Sequence, residues 1–83
     1  MKVRDLIKDK DYDYIVWRIK LDKEDADKIG DEYIFFGVCC SKNGELISLD
    51  GDTYSEDEAV IDYWEFSKPE KGIENGLIVL VEE

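Results

Sequence analysis

Tyr33-Ile34-Phe35-Phe36-Gly37-Val38-Cys39-Cys40-Ser41-Lys42-Asn43-Gly44-Glu45-Leu46-Ile47-Ser48-Leu49 is the stretch on which the fold turns. Successive positions of Tyr33–Ser41 are aromatic or apolar, so an extended chain there presents apolar side chains on both faces. That pattern suits a strand in the middle of a sheet, with material above and below it. Asn43-Gly44 tolerates the positive φ that both central positions of a two-residue type I′ turn require. Glu45–Leu49 is therefore expected to return antiparallel to Tyr33–Ser41.

Upstream, residues 12–21 alternate. Ile15, Trp17, Ile19 and Leu21 share one face, and Tyr14, Val16, Arg18 and Lys20 share the other, the signature of a half-buried strand. Tyr12 and Tyr14, set between Asp11 and Asp13, read as the amphipathic edge of a sheet. Arg18 and Lys20 are expected to form cross-strand ion pairs worth ~0.2–1 kcal/mol each. Val3, Leu6 and Ile7 recur at i, i+3 and i+4, which predicts a short amphipathic helix over one side of the sheet. The acid-rich stretch 22–31 has only Ala26 and Ile29 as apolar residues; lacking a full apolar stripe, it reads as a solvated connection with at most a helical turn.

Downstream, Asp50-Gly51-Asp52 is a turn. Ser55-Glu56-Asp57-Glu58 fits a capping box, but Val60, Ile61, Tyr63, Trp64 and Phe66 are β-branched or aromatic. One helical turn at 55–58 running into a strand at about 59–66 is favoured over a longer helix. Pro69, Gly72, Asn75 and Gly76 mark a loop, and the apolar run Leu77–Val81 reads as an interior strand. The expected architecture is α+β: one small domain over 1–83, a mostly antiparallel sheet of about five strands with one short N-terminal helix.

The charge is distributed unevenly. Between Asn43 and Ser67 stand eight carboxylates (Glu45, Asp50, Asp52, Glu56, Asp57, Glu58, Asp62 and Glu65) and no Lys or Arg, whereas residues 1–28 balance eight acids with eight bases. The formal net charge of −11 thus has a local centre. Such a field steers and selects partners without implying chemistry. It disfavours direct binding to nucleic acid or to an anionic membrane, both of which attract basic patches. No segment has the length and apolarity of a signal peptide or a membrane span. Two adjacent cysteines do not make a disulfide framework, and a cytoplasmic location is expected.

The sequence holds no histidine, and so lacks the commonest general base, the commonest metal ligand and both Ser/His and Cys/His nucleophile pairs. Cys39 and Cys40 lie in the most apolar segment and are expected to pack the core. Asp50, Asp52, Glu56 and Glu58 resemble the start of a calcium loop, but Ser55 and Ile61 stand where an EF-hand counted from Asp50 needs Gly and Glu. Paired carboxylates for glycoside chemistry lack a second wall for a cleft in so short a chain. No catalytic residue, metal site or cofactor is assigned.

The charge itself supplies the remaining reading. Residues two apart in an extended segment lie ~6.6–6.8 Å from each other, a spacing comparable to that of charges along a phosphate backbone. Asp50, Asp52, Glu56, Asp57, Glu58, Asp62 and Glu65, interleaved with Tyr54 and Trp64, are therefore the expected interaction residues, with aromatics as anchors. The expected partner is a basic protein surface, such as that of a nucleic-acid-binding protein. In size and charge alone, the chain is similar to small acidic inhibitors that bacteriophages and other mobile elements direct at nucleic-acid-handling machinery. The alternative is an accessory domain that assembles through its sheet edge, as a homodimer or a complex subunit, with the acids serving solubility. A divalent-cation binder is the minor alternative.

Overall fold

A computed structural model describes residues 1–82. The elements run α1 (Val3–Ile7), β1 (Tyr12–Lys20), α2 (Lys23–Ile29), β2 (Tyr33–Lys42), β3 (Glu45–Ser48), β4 (Val60–Lys68), a 3-10 turn (Pro69–Lys71) and β5 (Ile73–Glu82). The strands form one sheet in the order β3-β2-β1-β5-β4. Every neighbouring pair is antiparallel except β1 and β5, which run parallel at its centre. The fold is α+β, as the sequence pattern implies.

Asn43 (φ 53°) and Gly44 (φ 77°) form the expected tight turn, with Lys42 paired to Glu45 across it. β3 and β4 are opposite edges of the sheet, so residues 49–59 must carry the chain across its full width, over one face. Midway across, the Tyr54 ring packs at 5.1 Å from Trp17 and 5.7 Å from Phe36. α1 lies beside this crossing strap. The Val3 and Arg4 N–H groups donate to the Glu58 and Glu56 carbonyls (3.0 and 2.9 Å), and Val60 N–H donates to Met1 (2.8 Å). Helix and strap together cover this face of the sheet; on the opposite face Leu80 is also buried, at 3% exposed. The core lies beneath helix and strap, where Val3 and Ile7 meet Tyr12, Ile15, Trp17, Cys39, Leu77, Val79 and Val81.

Five sequence expectations differ from the structure. Asn75 and Gly76, expected with Pro69 and Gly72 in a loop, lie within β5. The connection after β1 is a seven-residue helix, α2, capped by the Asp22 carboxylate on the Asp25 N–H (2.8 Å); it buries no residue, and capping rather than a stripe defines it. Tyr12 does not sit at an edge: β1 is the central strand, and Tyr12 is 3% exposed. β2 is covered on one side only, leaving Phe35 63% exposed. Arg18 and Lys20 make no ion pair among the described residues; the Arg18 guanidinium lies over the Tyr33 ring at 5.9 Å. Residues 55–58 form a turn, closed by Glu58 N–H on the Ser55 carbonyl (3.3 Å) and Asp57 N–H on Ser55 Oγ (3.2 Å), and the strand follows at Val60.

Candidate interaction surfaces

The two faces of the sheet differ sharply, and each carries part of the expected interaction set. On the covered face, Asp50 is the hub of the strap. Its Oδ2 accepts from the Tyr54 hydroxyl (2.6 Å) and the Val38 N–H (2.9 Å), and its Oδ1 from the Asp52 N–H (3.1 Å) and Ser48 Oγ (3.2 Å). The Tyr54 hydrogen bond, then that from Val38, holds the Asp50 carboxyl down at about 2; burial and the Asp50 contact push the Tyr54 phenol well above its usual range. Gly37 makes this possible, because the Tyr54 hydroxyl and the Asp50 carboxylate occupy the space that a Cβ there would need. Asp50 is thus a structural residue of the loop rather than a free surface charge.

Other acids of the block are answered from the N-terminal third. Arg4 pairs with Asp57. Lys10 reaches Glu65 at 3.4 Å, and the Tyr12 hydroxyl donates to Glu65 at 2.6 Å. The Tyr12 hydrogen bond, reinforced by Lys10, lowers the Glu65 carboxyl; burial, then Glu65, raises the Tyr12 phenol. Asp52, Glu56 and Glu58 have no cationic partner among the described residues. Asp62 and Trp64 pair in register with Leu80 and Ile78, which places them on the opposite, uncovered face. The nine expected interaction residues therefore do not form one surface: the structure groups Asp50, Asp52, Tyr54, Glu56, Asp57 and Glu58 in the strap, sets Glu65 apart on β4 with Tyr12, and puts Asp62 and Trp64 across the sheet.

The Cys39 thiol is fully buried and pushed up to about 12, chiefly by burial and further by the Cys40 thiol beside it. Cys40 is half-buried on the uncovered face, outside the core. Among the described residues, no three carboxylates or thiols gather as a metal site. An open cleft between α2 and the sheet end is lined by charged groups, including Lys20, Asp22, Asp27 and Glu82. Comparison with protein-family models, curated proteins and solved structures gives no match.

The uncovered face is where sequence reasoning saw least. Strand pairing places Val38, Val16, Ile78 and Trp64 in one row across β2, β1, β5 and β4. On one side of this row lie Phe35, Arg18, Leu80 and Asp62. On the other, the Phe66 ring lies over Gly76, and Ile47 pairs with Cys40. Phe35, Trp64 and Ile47 are 63%, 48% and 46% exposed. No described element crosses them. The available signal was the doubly apolar run of β2, which reads the same whether its second face meets a layer of the same chain or another molecule.

Proposed function

We propose that this chain is a non-enzymatic protein-interaction protein whose contact surface is the uncovered face of its sheet. One observation carries this reading: the contiguous row Val38-Val16-Ile78-Trp64, half-buried at its first three residues and exposed at Trp64, is flanked by exposed Phe35 and Ile47 on the side of the sheet away from α1 and the strap. Scattered exposed apolar residues are normal on soluble proteins, whereas contiguous apolar patches mark contact sites. An apolar centre at Val16 and Ile78, bordered by the exposed aromatics Phe35 and Trp64 and by charged groups, matches the apolar-core, polar-rim anatomy of protein interfaces.

A second reading retains the acidic strap as an electrostatic surface for a basic partner. It rests on Asp52, Glu56 and Glu58, the strap carboxylates without a cation beside them. Asp50 does not belong in a test of this reading, because replacing it would dismantle the loop that presents the others.

Capture from native-host lysate at low and high salt separates the two, using wild-type bait, a Phe35→Ser/Trp64→Ser bait and an Asp52→Asn/Glu56→Gln/Glu58→Gln bait. Apolar-face binding predicts partners that survive high salt and are lost with the serine bait alone. Partners released by salt and lost with the acid-neutralised bait alone would overturn it in favour of the strap.

A further inference from the structure

We infer that the occupant of the uncovered face is a second copy of this chain, two sheets packing face to face as an isologous dimer with both acidic straps outside. This deepens the proposed function and rests on it. Arg18 and Lys20 stand on β1, and their register partners on β5 are Leu80 and Glu82, with Asp62 beyond on β4. The ends of β1 and β5 therefore carry cations on one side of their seam and anions on the other, while Lys42 and Glu45 pair in register farther out on β2 and β3.

A two-fold axis along that seam lays β1 over β5 of the other copy and β2 over β4. It sets Lys20 opposite Glu82, Arg18 opposite Leu80, Phe35 opposite Asp62, Val16 opposite Ile78 and Val38 opposite Trp64, each contact occurring twice, as an isologous interface demands. The sheets' own twist turns the strands by ~30° in such aligned packings, which keeps these columns facing. A face of uniform sign would repel its copy; here Lys20 and Glu82 meet their opposites twice and the Val16-Ile78 and Val38-Trp64 columns meet apolar side chains.

Size agrees. Strands ~4.8 Å apart and ~30 Å long give the four overlapping strands a face on the order of 600 Å², or roughly 1,200 Å² across two copies, at the lower end of the ~1,200–2,000 Å² of specific stable interfaces. Geometry also resolves how two chains of charge −11 approach each other. The strap acids lie across the sheet from the contact, so the repulsion between copies acts at long range and salt screens it. Association by this face strengthens as salt rises, the reverse of docking by the acidic strap.

Sedimentation equilibrium from 5 to 500 µM in 50 mM and 500 mM NaCl tests the inference. The expected mass climbs with concentration from 9.7 kDa toward twice that value, at lower concentration in the higher salt. Phe35→Ser/Trp64→Ser leaves the formal charge unchanged and should weaken association at least 100-fold, while circular dichroism confirms a folded monomer. Lys20→Glu and Glu82→Lys should each weaken it several-fold, and together restore it. A mass fixed at 9.7 kDa at 500 µM in both salts overturns self-association, as does a dimer indifferent to the serine substitutions, which would be pairing at a sheet edge. A monomer whose lysate partners still depend on Phe35 and Trp64 overturns the second copy alone; a monomer with no such partners overturns the contact surface as well.

Discussion

The two tryptophans sit on opposite faces of one sheet, so replacing each by alanine measures how one-sided the fold is. Trp17 is 4% exposed beneath the strap, with the Tyr54 ring tilted against it at 5.1 Å, whereas Trp64 is 48% exposed on the edge strand β4. Large aromatics bury roughly 150–250 Å². At ~25 cal/mol per Å², losing Trp17 costs about 4–6 kcal/mol by area, consistent with the ~3–5 kcal/mol typical of aromatic-to-alanine changes in cores. Trp64 hides about half its surface, which halves that figure to about 2–3 kcal/mol. The two variants should therefore differ by about 2 kcal/mol or more. Urea denaturation followed by far-ultraviolet circular dichroism at low-micromolar protein, where the monomer dominates, reads this difference. Since ~1 kcal/mol shifts Tm by ~4–8 °C in a domain of this size, Trp64→Ala should melt at least ~8 °C above Trp17→Ala. Equal losses, or a larger loss for Trp64→Ala under monomeric conditions, would refute the division into a covered and an open face.

Gly37→Ala should lower Tm and release the strap, because the added methyl displaces Tyr54 and Asp50; hydrogen exchange faster at residues 50–58 than in β1 and β5 is the expected readout, and unchanged protection there would count against the strap's anchoring. The Asp50 carboxyl titrates at about 2 in the folded protein, below its ordinary 3.8. A depressed carboxyl contributes stability above its unfolded pKa that is lost as the medium is acidified, so Asp50 should cost stability between about pH 4 and pH 2. Asp50→Asn should flatten that segment of a Tm-against-pH curve, and an unchanged slope would contradict the hub. Under native conditions a thiol reagent should modify Cys40 promptly and Cys39 only on unfolding, giving one fast thiol per chain by mass spectrometry; two fast thiols would contradict the packing of Cys39.

The local pattern was legible wherever a period or a turn residue stated it. Alternation marked β1, Asn43-Gly44 marked the β2–β3 turn, and the apolar run at 77–81 marked the interior strand β5. The helix α2 escaped because its ends, not a buried stripe, define it. Topology escaped because the parallel pairing of β1 with β5 joins segments about sixty residues apart and leaves no local trace. The acidic block illustrates the same limit. Eight carboxylates adjacent in sequence divide between two faces once Asp62 falls on the far side of β4. Arg4 and Lys10 reach Asp57 and Glu65 from more than fifty residues away. Asp50 looked like a surface charge because nothing in its own neighbourhood announces that Tyr54 and Val38 will donate to it.

The uncovered face as a contact surface is tested most directly by two-dimensional NMR of the isolated chain between about 20 µM and 1 mM at 500 mM NaCl. The account predicts that the Trp64 indole and the Val16, Val38 and Ile78 resonances move with concentration while the Trp17 indole and residues 50–58 stay fixed. Movement confined to the strap carboxylates or to the outer backbone of β3 or β4, with the central row unmoved, would contradict it.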